Sequence, residues 1–185
     1  MSLDPISAAY GAVASWRRRW YAGHPRRQHK LPRPVVSVGN VSTGGSGKTP
    51  LVAHLVQWLT ARGERPVVLT RGYARQVSTE AVTVVSDQHG VRASLETAGD
   101  EPLWLARRLS GVPVVVAADR YQGGLLALAR FNPTVFVLDD GFQHVALARD
   151  VDVVLISEDD LRDRPLPGGR LREPLRSVRT ADLIV

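Results

Sequence analysis

The chain has 185 residues, 44% of them apolar and none of them cysteine, so it can bury a sizeable single-domain core while disulfide, thiolate-metal and thiol redox chemistry are excluded. The five histidines are scattered without a helical ligand pair, and no apolar run approaches the roughly 18 residues of a membrane span. The net charge of +6 resides in the first 34 residues, where Arg17, Arg18, Arg19, Arg26, Arg27, Lys30 and Arg33 stand against Asp4 alone (7 − 1 = +6); the neutral remainder argues against a nucleic-acid groove.

Residues 1–34 read as a basic, aromatic helix and linker. Ile6, Tyr10, Val13, Trp16, Trp20 and Tyr21 recur at near-helical spacing, followed by arginines and by Pro25, Pro32 and Pro34. Such an amphipathic helix suits a membrane interface, with the aromatics inserted and the arginines on anionic headgroups. The competing reading is a first helix packed on the domain with a solvated arginine face. The first basic cluster follows the apolar stretch instead of preceding it, so no secretory leader is expected.

Residues 35–185 read as a phosphate-loop nucleotide-binding domain. Val35–Val38 is a short apolar strand, Ser42–Thr49 is rich in glycine and ends Gly-Lys-Thr, and Leu51–Leu59 is an apolar helix. Strand, glycine loop and helix N-terminus form the usual cradle for nucleotide phosphates. Gly44, Gly45, Ser46 and Gly47 would turn their amides inward, Lys48 would reach the terminal phosphates, and Thr49 would ligate Mg²⁺. The first glycine of the usual pattern is replaced by Ser42.

Further strands are expected at 66–70, 81–86, 113–117, 134–138 and 151–156, with a turn at 87–90 and helices near 99–110 and 119–131. Alternating strands and helices imply an α/β fold of the phosphate-loop NTPase kind, a mostly parallel sheet with helices on both faces. Asp139 and Asp140 end an apolar strand at the edge where such folds hold a metal, and binding it would relieve the repulsion between them. Asp100 follows Gly99 near a helix start and is either an N-cap or a base that accepts a proton from an attacking hydroxyl. The final residues, 181–185, resemble a strand just beginning, which suggests that the domain continues beyond them.

Several segments in order resemble the tetraacyldisaccharide 4′-kinase family, which phosphorylates the lipid A precursor of Gram-negative bacteria. They are Ser37-Val38-Gly39-Asn40, Gly44 to Pro50, Thr70-Arg71-Gly72-Tyr73, Gly99-Asp100-Glu101-Pro102, Asp119-Arg120, Asp139 to His144, and Pro167 to Pro174. The resemblance implies ATP and Mg²⁺ as cofactors, an acylated glucosamine disaccharide 1-phosphate as acceptor, and work at the cytoplasmic face of the inner membrane. It further implies Asp100 as the catalytic carboxylate, with Lys48, Arg120 and His144 beside it. Tyr73, Arg172 and Glu173 would face the acceptor, and Thr49, Asp139 and Asp140 the metal. The family continues into a second α/β portion that supplies a histidine to the catalytic aspartate, so the 185 residues are expected to bind nucleotide and to transfer phosphate poorly alone.

Two other nucleotide-site readings fit less well. A GTPase needs an Asn/Thr-Lys-x-Asp motif, and no lysine follows Lys48. A membrane-associated ATPase switch of the partitioning type has an extra lysine early in the loop, where this chain has Thr43.

Overall fold

The structure, a computed structural model, describes residues 5–44, 47–72 and 81–185. Among these, eight strands form one sheet: β1 (Val35–Asn40), β2 (Pro66–Thr70), β3 (Val82–Asp87), β4 (Gly90–Val91), β5 (Val114–Ala117), β6 (Val135–Asp139), β7 (Val151–Leu155) and β8 (Leu183–Ile184). Their spatial order is β4-β3-β5-β2-β6-β1-β7-β8. From β5 to β8 all neighbours are parallel, whereas β3 runs antiparallel to β5 and β4 antiparallel to β3. The expected turn at 87–90 is the hairpin joining these last two strands.

Side chains alternate along each strand, so each face of the sheet has its own core. On one face Val38, Val68, Val114, Val116, Val137 and Val153 meet α2 (Lys48–Ala61) and α4 (Asp100–Arg108). On the other, Val35, Val67, Leu69, Val115, Phe136 and Leu138 meet α5 (Arg120–Phe131), with Leu31 of the linker folded in. Helices thus cover both faces, as expected. The helix anticipated near 99–110 is α4, and a further short helix, α3 (Leu95–Ala98), precedes it, the two separated by Gly99 at φ 86°.

At the amino end, α1 (Pro5–Gly23) buries Ser7, Gly11, Ser15 and Arg18 and turns Ile6, Val13 and Trp16 outward, each more than 60% exposed. Small residues on the inner stripe let the helix approach a proline-rich segment closely. A Cβ on Gly11 would lie 3.1 Å from Pro174 Cγ, Ser7 Oγ accepts the Gly168 amide at 2.9 Å, and Arg176 donates to Ser15 Oγ. The arginine cluster is divided as well. Arg18 is 8% exposed and forms a two-pronged pair with Glu173 at 2.7 and 2.8 Å, while Arg17 and Arg19 stay exposed. Neither sequence reading of this helix anticipated an arginine on its buried side.

Beyond β7 lie α6 (Glu158–Arg162) and a 3-10 stretch at Leu175–Thr180. Val178 and Leu171 join Val41, Phe142 and Val154 in a third apolar cluster beneath the loops at the carboxyl ends of the strands. That end of a parallel sheet, where connections leave in opposite directions, is where α/β folds place their ligands.

Candidate active site

The loop between β1 and α2 sets the first part of the site. Gly47 precedes the helix at φ 76°, a left-handed conformation that costs a residue with a side chain dearly. Among the described residues no side chain caps this helix end, so its first amides and its dipole are available to an anion. Lys48 Nζ donates to Asn40 Oδ1 at 2.8 Å and to the Gly44 carbonyl at 3.4 Å, and lies 3.7 Å from Asp140 Oδ1. Gly45 and Ser46 lie outside the described residues. Ser42, in place of the usual first glycine, is buried, and its hydroxyl accepts the Asn40 amide at 3.2 Å. A serine here gives the buried Asn40 side chain an acceptor that glycine would not.

The two acids at the end of β6 have opposite surroundings. Asp139 is 1% exposed, and neither carboxyl oxygen has a hydrogen-bond partner among the described residues. Burial, followed by the charges of Glu101 and Asp140, pushes its pKa up to about 7 against the pull of Lys48 and Arg120. Two bare, buried carboxyl oxygens at the end of β6, within the field of Lys48, suit a small, hard cation, which takes oxygen donors. Asp140 is instead committed to Arg172, which grips it at 2.7 and 2.8 Å. Burial alone would raise the Asp140 carboxyl, but the Arg172 hydrogen bonds and the charges of Arg172, Lys48 and Arg120 hold it below the ordinary range. The pair expected to share a metal is thus divided between a free carboxylate and one engaged by cations.

Asp140 reaches this position through a left-handed turn, φ 54°, and the Gly141 amide returns to the Val38 carbonyl at 3.0 Å. The turn lies so close on β1 that a Cβ at Gly39 would sit 2.5 Å from Phe142 Cβ. Only glycine fits there. Asn40, fully buried, accepts both Lys48 and Arg172 on one oxygen, and its carbonyl accepts Gln143. No role was read for Asn40 from sequence; an uncharged amide directly before the loop was the available signal.

Asp100 is the first residue of α4, and the cap position belongs to Gly99. The N-cap alternative is therefore overturned: the Asp100 carboxylate accepts the Glu101 amide and is otherwise open to solvent. It faces a cavity of about 630 Å³ shared with Gly44, Gly47, Lys48 and Thr49, with Leu103 and Trp104 as an apolar wall.

The remaining predicted residues are distributed unevenly. Arg120 is 4% exposed at the start of α5, its Nε without a partner among the described residues. Burial first, then the charge of Arg71, lowers its pKa to about 10 against the pull of Asp140, Asp139 and Asp119. His144 is half-buried, and burial together with Arg120 lowers its pKa to about 4, so it is neutral at pH 7. Arg172, expected to face the acceptor, braces Asp140 and Asn40. Glu173, expected to face the acceptor, is buried against Arg18 because two guanidinium nitrogens neutralise it there. Tyr73 lies outside the described residues.

Comparison with known proteins agrees with this geometry. The sequence model of the family described as tetraacyldisaccharide-1-P 4′-kinase matches residues 1–185. The tetraacyldisaccharide 4′-kinase of Aquifex aeolicus is 46% identical over 184 residues, which is 100% of this chain and 57% of the relative. That of Geobacter sulfurreducens is 45% identical over 181 residues, 97% of this chain and 51% of the relative. A crystal structure of Aquifex aeolicus LpxK in complex with ATP superposes with a TM-score of 0.90 at 46% identity, over 97% of this chain and 56% of that one. The chain thus spans about half the length of the curated relatives it matches. With the family model matching its full length and relatives 45–46% identical across it, the chain belongs to the tetraacyldisaccharide-1-P 4′-kinase family.

Proposed function

We propose that this chain carries the nucleotide-binding part of a lipid kinase. The enzyme transfers the γ-phosphoryl group of ATP to the 4′-hydroxyl of a tetraacylated glucosamine disaccharide 1-phosphate. The observation that carries the reading is Asp100, an open carboxylate on a cavity whose opposite rim is the phosphate loop with Lys48 and Thr49.

The α2 amides and Lys48 hold the β- and γ-phosphates and keep the transferred group still. When bound, Mg²⁺ neutralises phosphate charge, and Thr49 and Asp139 are the residues that would hold it. Asp100 accepts the proton as the acceptor hydroxyl attacks phosphorus, a new oxygen–phosphorus bond forms, and the bond to the bridging oxygen breaks to release ADP. Arg120, a fixed buried cation close to Asp139 and Asp140, stabilises charge on the transferring group. The Leu103 and Trp104 wall suits an acceptor that is largely hydrocarbon.

The same reading places the protein on the cytoplasmic face of the inner membrane. No described helix is long and apolar enough to cross a bilayer. However, α1 holds Ile6, Val13 and Trp16 outward with Arg17 and Arg19 exposed beside them, the composition of a helix that lies in the interface. Equilibrium dialysis with labelled ATP and Mg²⁺ tests the nucleotide assignment. Lys48→Ala abolishes binding and Asp100→Ala leaves it intact; equal binding by Lys48→Ala would refute the site.

A further inference from the structure

A buried electrostatic network lies behind the Asp139–Asp140 turn, and its outermost member is on α1. The Arg18 guanidinium grips Glu173 with Nε and Nη2. The same Nη2 donates to the Phe142 carbonyl at 2.7 Å, and the group lies 3.8 Å over the Phe142 ring. Nη1 reaches Thr180 Oγ1 at 3.2 Å. Arg149 supports the same carbonyl from the other side at 3.3 Å, balanced by Asp152 at 3.2 Å. Phe142 follows Asp140 by two residues, and Glu173 directly follows Arg172. One side chain therefore fixes the far end of the turn that carries Asp140 and the neighbour of the arginine that grips it. Next to it, Arg17 donates to the Gln143 carbonyl, while Gln143 bonds the Asn40 carbonyl.

We propose that Arg18 is a positioning residue of the nucleotide site. It holds Phe142 and Glu173 so that Asp140, Arg172, Asn40 and Lys48 keep their mutual geometry. A helix serving only to reach a membrane has no need for a guanidinium on its inner side, where an apolar residue would pack against the proline segment with less desolvation. The fork matters as much as the charge. Arginine can serve the carboxylate, the carbonyl and the ring face at once, whereas an ammonium is a point charge with no plane to stack. The inference rests on the nucleotide reading above and adds to it a residue on an element that touches neither phosphate nor metal.

The test compares Mg²⁺–ATP dissociation constants and thermal midpoints for the unaltered chain and for Arg18→Lys, Arg18→Met and Arg19→Met. Binding is measured at a temperature where near-ultraviolet circular dichroism shows each variant folded. Arg18→Lys and Arg18→Met should each weaken ATP binding on the order of tenfold, the scale seen when an outer partner of a functional ligand is removed. The exposed neighbour variant Arg19→Met should leave affinity unchanged. Arg18→Lys keeps a charge against Glu173 and so supplies a folded protein if Arg18→Met does not. A lowered midpoint with unchanged ATP affinity in folded Arg18→Lys would make Arg18 a purely structural residue and overturn the proposal. Full rescue by lysine would overturn the fork argument on which it stands. An unaltered chain that binds no Mg²⁺–ATP would refute the nucleotide reading itself, an outcome distinct from either.

Discussion

Lys48 and Asn40 are hydrogen-bonded at 2.8 Å, and the same amide oxygen also accepts Arg172. A neutral acceptor holds the ammonium beside the phosphate loop at hydrogen-bond distance, while its ion pair with Asp140 is the longer contact, at 3.7 Å. Asn40→Ala leaves two cations competing for Asp140 and a buried vacancy. It should cost roughly 1–3 kcal/mol of stability, as unmade buried hydrogen bonds do, and also weaken ATP binding. Asn40→Asp should retain the fold and bind ATP more weakly, because Lys48 is then held by a charge. Calorimetric titration with urea denaturation separates the two effects, and ATP affinity unchanged in both variants would contradict this role.

Burial of the Asp139 carboxyl links the stability of the fold to pH. Its pKa rises from 3.8 to about 7, so above pH 7 the folded protein carries a buried charge without a partner. The penalty grows between those two pH values, where the unfolded chain is ionised and the folded one is not, and stays constant above. Asp139→Asn should therefore stabilise the fold by roughly 1–3 kcal/mol at about pH 8 and change little at about pH 4. The same variant should lose the Mg²⁺ dependence of ATP binding. Stabilisation absent at the higher pH would show that the carboxylate has a partner after all.

His144 has the opposite linkage. Its pKa falls from 6.5 to about 4 in the folded state, so between these values the unfolded chain binds a proton that the folded protein does not. Its contribution to stability is present above the upper value and lost as pH falls through the window. His144→Gln should remove on the order of 1–2 kcal/mol of that acid sensitivity, allowing for partial exposure of the ring. Urea denaturation at the two ends of the window measures it, and parallel losses in both proteins would exclude the ring as the source.

The outward face of α1 carries the membrane reading. Val13 and Trp16 are 65% and 64% exposed, and burying them in lipid should contribute roughly 1.5–3 kcal/mol each. Val13→Asp with Trp16→Asp should reduce sedimentation with anionic vesicles by more than about tenfold while leaving ATP affinity unchanged. Undiminished sedimentation would place membrane contact elsewhere.

The sheet was legible because parallel strands buried on both faces are continuous apolar runs, as in Val67-Val68-Leu69 and Val114-Val115-Val116. The phosphate loop was legible because Gly-Lys-Thr between a strand and a helix has few other uses. Local signals misled where a partner lay far along the chain. Arg18 reads as a surface cation until Glu173, 155 residues away, is brought beside it. Arg172 and Asp140 are 32 apart, so nothing nearby told the bare acid from the cation-bound one. The Ser157 and Asp160 capping box that starts α6 was present in the sequence and passed over, because no apolar run followed it. For Asp100, position alone leaves cap and base open and the family resemblance favours the base; Gly99 holds the cap position.

The most direct measurement is transfer of the labelled γ-phosphoryl group from ATP to tetraacyldisaccharide 1-phosphate in detergent. It requires this chain at the full length of its relatives, with Asp100→Ala and Lys48→Ala alongside and bound ATP quantified in each. The account predicts labelled lipid from the unaltered protein. It predicts none from Asp100→Ala despite full ATP occupancy, and none from Lys48→Ala because ATP is not held. Transfer undiminished in Asp100→Ala, or no labelled lipid from an unaltered protein saturated with ATP, would contradict it.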